Sequence, residues 1–352
     1  MSMNKTGQNW ACISSFRTEL MGVATLLVLL CHGNFFGSQI GRAIAAEGQV
    51  GVELFLFLSG IGLYFSMRKN ENVFVFYRHR FMRIIPSYLI IAIPLYAIIF
   101  FLLGPRKISI FLYHIFQVGF LLPNELRHCT LWYVPFIVIL YILYPVWYFL
   151  TKAFRNGKTL VFALLIVAAL LCELASVVFL PDLYVRDGTG GLALQVCRIP
   201  IFLVGCYAAF AVQERKQLRA FPLAIFSALA FTTIRLLATL CVDNRSPLYI
   251  SLVWKSRVFL ALAIICACVL LFGLSHSPDG KKPVVLRVLA FVGKCSLEIY
   301  LLHALLLDLY RYGPLAAIPP FFSYYFIVVP LSVVLAAAVR SLSGKILPRP
   351  SV

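Results

Sequence analysis

Charge is what this sequence has least of. Only 12% of its 352 residues are Asp, Glu, Lys or Arg, and the acidic residues number 13. Soluble globular domains carry about twice that charged fraction, so an ordinary soluble protein of this length is excluded. Several chemical signatures are missing as well. The chain has no Walker loop, no glycine fingerprint between a strand and a helix, no Gly-x-Ser-x-Gly elbow and no paired zinc ligands on one helix. No ATP-hydrolysing motif is visible, and no metal is expected. Internal repeats and low-complexity tracts are absent too. The ten cysteines supply no disulfide framework, since most (Cys31, Cys172, Cys197, Cys206, Cys241, Cys266, Cys268 and Cys295) sit inside apolar segments without metal-ligand spacing. They read as small core residues.

What is present is apolar surface: 62% hydrophobic residues and a mean hydropathy of +0.93. The fold class this implies is all-α, a polytopic transmembrane helical bundle set in a lipid bilayer, multi-pass in a cell inner or plasma membrane. With about 20 apolar residues needed per crossing, spans are predicted near 16–36, 49–67, 84–104, 131–150, 158–180, 191–212, 220–241, 256–274, 288–310 and 318–339, about ten in all. The segment "ISIFLYHIFQVGFLLP" (108–123), interrupted by His114 and Gln117, reads as an interfacial or re-entrant helix. The whole of 1–352 is expected to form one integral-membrane domain with no appended soluble domain, and the short polar N-terminus is expected to stay uncleaved.

A formal net charge of +18 would suit a nucleic-acid partner, but no basic stripe exists. Lys and Arg crowd alternate connections instead: Arg68, Lys69, Arg78, Arg80 and Arg83; then Lys152, Arg155 and Lys158; then Arg215, Lys216 and Arg219; then Lys281, Lys282 and Arg287. The tails carry Lys5, Arg17, Arg340, Lys345 and Arg349. The positive-inside rule then places both termini in the cytoplasm.

That topology gives the rare polar residues a depth. His32 ends the outward first span and Glu53 starts the returning second, so both fall near the outer end of the membrane. Glu173, Arg198, Arg235 and His303 reach the same outer half from four further spans. Ionisable groups at such depth are costly and face a bundle interior or aqueous cavity, so a functional polar cavity is implied. Any one of them alone would equally fit an interhelical structural contact. On the inner side, "FYRHRFMRIIP" (76–86) sets Arg80 and Arg83 three apart at a helix start, suited to one phosphate, although basic cytoplasmic loops also arise from topology alone.

The sequence resembles the integral-membrane acyltransferase-3 family, bacterial enzymes that O-acylate surface sugars from cytoplasmic acyl-CoA. The resemblance runs through "LMGVATLLVLLCH" (20–32), "GVELFLFLSGIGLY" (51–64), "FYRHRFMRIIPSYL" (76–89), "LWYVPFIVILYILYPV" (131–146) and "SLEIYLLH" (296–303). It implies that His32 is the catalytic histidine of the first helix, that Glu53 holds the acidic position of the second, and that Arg80 and Arg83 form the Arg-x-x-Arg motif on the acyl-CoA side. His303 matches the histidine closing the late helix. One position departs: many members carry Arg eleven residues before the first histidine, where this chain has Met21. Arg17, one turn earlier on the same face, is expected to substitute at the inner interface.

The chemistry implied is O-acetyl transfer from acetyl-CoA, or another acyl-CoA, to a hydroxyl of a cell-surface polysaccharide or glycolipid sugar. A histidine oriented by a carboxylate suits this step, either as general base on the hydroxyl or as a transient acyl carrier. Trp132 and Tyr133, at the outer entrance, would stack on the carbohydrate acceptor or merely anchor the interface. Transfer is finished by this chain or by a separate extracytoplasmic partner. The alternative is a transporter or flippase of a sugar or lipid-linked saccharide, a class often marked by repeated halves or paired broken helices, and neither is seen.

Overall fold

A computed structural model describes residues 9–33, 38–103, 108–116, 131–181, 195–275, 282–312, 318 and 320–346. Among these, regular structure is helical throughout, apart from one isolated backbone bridge between Asn9 and Gln217. The helices are α1 (Ala11–Ser15), α2 (Arg17–His32), α3 (Gln39–Glu47), α4 (Val50–Lys69), α5 (Val73–Ala97), α6 (Ile108–Ile115), α7 (Tyr133–Ala153), α8 (Lys158–Phe179), α9 (Ile199–Gln213), α10 (Ala220–Cys241), α11 (Pro247–Leu274), α12 (Val284–Lys294), α13 (Ser296–Tyr312), α14 (Pro320–Phe322) and α15 (Val329–Ile346). Gln117, expected on the interfacial segment with α6, lies outside the described residues.

Among the described residues, seven helical stretches are long and apolar enough to cross a bilayer: Gln39–Lys69, Val73–Leu102, Tyr133–Ala153, Lys158–Phe179, Ala220–Cys241, Pro247–Leu274 and Ser323–Lys345. The remaining three predicted spans correspond to α2, α9 and α13, of 16, 15 and 17 residues. They fall short of the length of a full crossing because turns interrupt them: Phe16 separates α1 from α2, Cys197 and Arg198 precede α9, and Cys295 divides α12 from α13.

Local sequence sets the helix ends. Ser38 caps α3 by accepting from Gly41 N at 3.0 Å, Asn72 caps α5 through Phe74 N and Val75 N, and Ser246 caps α11 with Pro247 in the first turn. Pro86 and Pro94 sit inside α5, and the chain passes into a π-helical turn, Ile98–Leu102, just after the second. A second π turn, Ser323–Val328, leads into α15. On α8, Leu160, Leu164, Leu171, Leu174 and Val178 form an exposed apolar stripe at helical spacing, while Ala169 and Glu173 are buried behind it. Such a stripe has only lipid to face.

The chain divides into two compact units. One holds residues 1–24, 49–69 and 146–294; the other holds 25–48, 70–145 and 295–352. In the first, α4 and α9 approach backbone to backbone: a Cβ on Gly205 would come within 2.2 Å of Phe57 O, and one on Gly60 within 2.6 Å of Cys206 N. Gly22 and Gly293 permit the same approach between α2 and α12. In the second unit, α13 runs antiparallel to α15, with Glu298 beside Arg340 near one end and Leu307 and Tyr310 packed on Tyr324 and Val328 near the other.

Candidate functional site

The second unit gathers two histidines at one place. His32, the last residue of α2, is partly exposed, whereas His303, in the middle of α13, is fully buried. Their rings meet edge to face, 4.9 Å between centroids and 71° between planes. Each Nδ1 lies against the carbonyl one turn back on its own helix, His32 at 2.9 Å from Val28 O and His303 at 3.0 Å from Ile299 O. A carbonyl oxygen only accepts, so in the neutral rings Nδ1 carries the hydrogen and Nε2 the lone pair. Nε2 of His303 has no hydrogen-bond partner among the described residues.

Aromatic side chains continue outward from this pair. The Tyr300 ring lies 5.8 Å from His303 and 5.8 Å from Tyr133, and Tyr133 N donates to Tyr300 Oη at 3.4 Å. Trp132 follows at 6.1 Å from Tyr133. On the other side of α2, Tyr324 donates to Leu29 O at 2.8 Å, and Gly33 leaves room for Tyr325, whose hydroxyl would stand 2.2 Å from a Cβ there. Two π-turn tyrosines thus hold the end of the helix that carries His32.

Arg80 and Arg83 lie on α5 in the same unit. The Arg80 guanidinium sits 5.6 Å from the Phe76 ring and 5.9 Å from that of Tyr141, so its stem and plane are fixed by aromatics. Arg83 is partly exposed one turn further on.

Glu53, Glu173, Arg198, Arg235 and Arg17 belong to the first unit. Arg198 Nε approaches Glu53 Oε1 at 3.0 Å, with side-chain exposures of 2% and 1%. This is a buried ion pair across α4 and the start of α9. Glu173 is enclosed by three donors: Ser251 Oγ at 2.5 Å, Cys197 Sγ at 3.0 Å and Lys255 Nζ at 3.2 Å. Arg257 donates to Gln49 Oε1 at 2.8 Å. Arg235 lies over Phe231 at 5.7 Å. Arg17 donates to Leu58 O at 3.3 Å and packs over Gly62, so it is seated on α4.

Sequence reasoning brought His32 and His303 to similar depth, and the structure makes them neighbours. It passed over Tyr300, although a spacing of three from His303 places both on one helix face. It also passed over Ser251 and Lys255, whose spacing of four on α11 points both at Glu173, and over Glu298, which accepts from Ser87 at 2.8 Å. Charged residues of low apparent interest inside an apolar run were the available signal.

The family profile of acyltransferase-3, an acyltransferase domain, matches residues 20–340. A curated relative, the acyltransferase MdmB of Streptomyces mycarofaciens, is 37% identical over 95 residues, which is 25% of this chain and 24% of that protein. The chain therefore spans about a quarter of the length of the curated relative it matches. No solved structure matches. With its profile extending over nearly all of the described helices and both histidines, the chain belongs to the acyltransferase-3 family.

Proposed function

We propose that this protein is a membrane O-acyltransferase that moves an acetyl group from cytoplasmic acetyl-CoA to a hydroxyl of a polysaccharide or glycolipid sugar. Its arrangement in the reading is ten spans, formed as one domain, with both termini in the cytoplasm of a cell inner or plasma membrane. The observation that carries the proposal is the seating of His32: Nδ1 lies 2.9 Å from Val28 O on a partly exposed ring, which favours the neutral tautomer with Nε2 as the base.

In this mechanism Nε2 of His32 takes the proton of the acceptor hydroxyl as its oxygen attacks the thioester carbonyl. The tetrahedral intermediate collapses by breaking the C–S bond, and the departing CoA thiolate takes the proton from the imidazolium. His303 backs the His32 ring, and Glu53, by its place in the family motif, is the proposed electrostatic contributor. Arg80 and Arg83 hold the CoA phosphates, a role proposed for Arg17 as well. Trp132 and Tyr133 offer flat surfaces for the sugar; Glu173 and Arg198, enclosed by their own partners, support the first unit, and Arg235 is proposed on the acceptor side. Membership of an acyltransferase family favours this reading over a sugar transporter.

The test uses membrane vesicles containing the protein and acetyl-CoA labelled in the acetyl group. Label in the carbohydrate fraction that disappears in His32→Ala supports the proposal. Movement of unmodified sugar without acylation would favour transport and overturn it.

A further inference from the structure

One polar cluster of the second unit has no role in the steps above. Ser87 of α5, fully buried, donates to Glu298 Oε1 of α13 at 2.8 Å and lies 3.3 Å from Ser343 Oγ of α15. Glu298 and Ser343 are 1% and 2% exposed. Arg340 Nη1 stands 3.8 Å from Glu298 Oε2, and the Arg340 side chain is 34% exposed. Three helices therefore bury a carboxylate and two hydroxyls, and present one guanidinium outward from them.

Position along the helices suggests what that guanidinium meets. Arg83 precedes Ser87 by four residues on α5, and His303 follows Glu298 by five on α13. With α5 and α13 running the same way, as the alternation of basic loops requires, the cluster lies between the Arg80–Arg83 end and the histidine pair. At about 1.5 Å per residue, those nine residues separate Arg83 and His303 by about 13 Å of helix rise. A CoA thioester held by its phosphates at the first place and reacting at the second must lay its pantetheine arm along this interval, and that arm carries two amides. Arg340 also lies five residues inside the end of the apolar stretch Ser323–Lys345. Its pairing with buried Glu298 holds the Arg340 guanidinium beside the helix packing. At 3.8 Å the pair is an electrostatic contact longer than a hydrogen bond, so the carboxylate orients Arg340 by its charge.

The geometry points to a pantetheine-binding collar in which Arg340 donates to an amide carbonyl of the donor's arm, with Glu298, fixed by Ser87, as its positioning residue. This rests on the donor reading of Arg80 and Arg83 given above, and the two are separable by choice of ligand.

The experiment measures binding of acetyl-CoA and of acetyl-pantetheine, which keeps both amides and lacks the phosphates, to purified protein. Arg340→Gln should weaken both ligands alike by about tenfold, the loss of roughly one charge-assisted hydrogen bond, and Arg340→Lys should recover part of it. Arg80→Gln with Arg83→Gln should weaken acetyl-CoA alone. Ser343→Ala removes one hydroxyl of the collar with little volume change and should give a smaller loss for both ligands, which guards against misfolding of the arginine variant. Unchanged binding in Arg340→Gln and Arg340→Lys, a loss confined to acetyl-CoA, or no binding of acetyl-pantetheine by the unaltered protein in the millimolar range overturns the collar. Unchanged acetyl-CoA binding in the Arg80 and Arg83 variant sinks the phosphate site instead.

Discussion

His32 and His303 meet edge to face at 4.9 Å, and each returns its Nδ1 to its own helix. The pair differs in access: one ring is partly exposed and the other fully buried. In the proposed reaction a proton taken by His32 can exchange with its surroundings, and His303 packs behind it.

From this asymmetry His32→Ala is expected to abolish acyl transfer, on the order of a thousandfold as for other lost general bases, with normal accumulation in the membrane. His303→Gln should lower kcat less severely, because it alters the setting of the base and not the base. Measured turnover of both single variants and the double variant decides the matter. A double variant no slower than His32→Ala shows that the rings act as one unit.

The Glu53–Arg198 pair should behave differently. Removing one partner strands a buried charge, a loss of about 3–5 kcal/mol in comparable cases. Arg198→Gln is thus expected to cut the yield of folded protein sharply, and Glu53→Gln in the same chain should restore much of it. Monodisperse yield and thermal stability in detergent report this. Restored folding without restored transfer would separate the structural contribution of Glu53 from its proposed electrostatic one.

Gly205 offers a packing test. Its Cβ position lies 2.2 Å from Phe57 O, a backbone atom that moves only with α4 itself, whereas Gly344 has nothing within 4 Å of its Cβ position. Gly205→Ala should destabilise by about 1–3 kcal/mol or more. Gly344→Ala should be neutral or stabilise by about 0.5–1 kcal/mol through helix propensity. Equal melting temperatures for the two would mean that α4 and α9 are not in backbone contact.

Much of this was legible in sequence because membrane helices obey length and apolarity rules that need no partner. The motif order around His32, Glu53, Arg80 and His303 sufficed for the family. The helix breaks at Phe16, Arg198 and Cys295 were not legible, since each lies within an apolar run that hydropathy alone continues. Nor could the sequence show which buried charge meets which: Glu173 with Lys255, and Ser87 with Glu298, join residues 82 and 211 positions apart. Such pairings depend on helix rotation, which packing decides.

At the surface, Glu214 follows α9 and receives Lys158 Nζ at 2.7 Å and Lys216 Nζ at 2.9 Å. Hydrogen bonds from Lys158 and then Lys216 hold its carboxyl down at about 2. A depressed carboxyl contributes its stability above its unfolded value, about 4.3, and loses it as pH falls toward 2. Because Glu214 is 38% exposed, solvent screening keeps the contribution below about 1 kcal/mol. Glu214→Gln should melt slightly lower than the unaltered protein at neutral pH, with the gap closing on acidification from about pH 4.3. A gap that persists at the acid end would assign the effect to packing.

Whether α9 crosses the membrane is open to a direct measurement, because parity depends on it. Between Asn70 and Asn244 lie four of the long apolar stretches, Val73–Leu102, Tyr133–Ala153, Lys158–Phe179 and Ala220–Cys241, together with the 15-residue α9. Four crossings would return the chain to the face it left; five put the two positions on opposite faces. Basic residues favour five, since Arg68 and Lys69 flank one position while Arg215, Lys216 and Arg219 must share their side with α10 running away toward the other. An isolated helix of 15 residues is short for a bilayer, but α9 is buried along most of its length, including Ile201, Phe202, Cys206 and Ala209, so protein surrounds it instead of lipid. Single cysteines at Asn70 and Asn244, in a background cleared of all native cysteines, should therefore label from opposite sides with an impermeant reagent. Labelling from one side would remove α9 from the count of spans and, with it, the placement of Arg198 and Glu53 toward the outer half of the membrane.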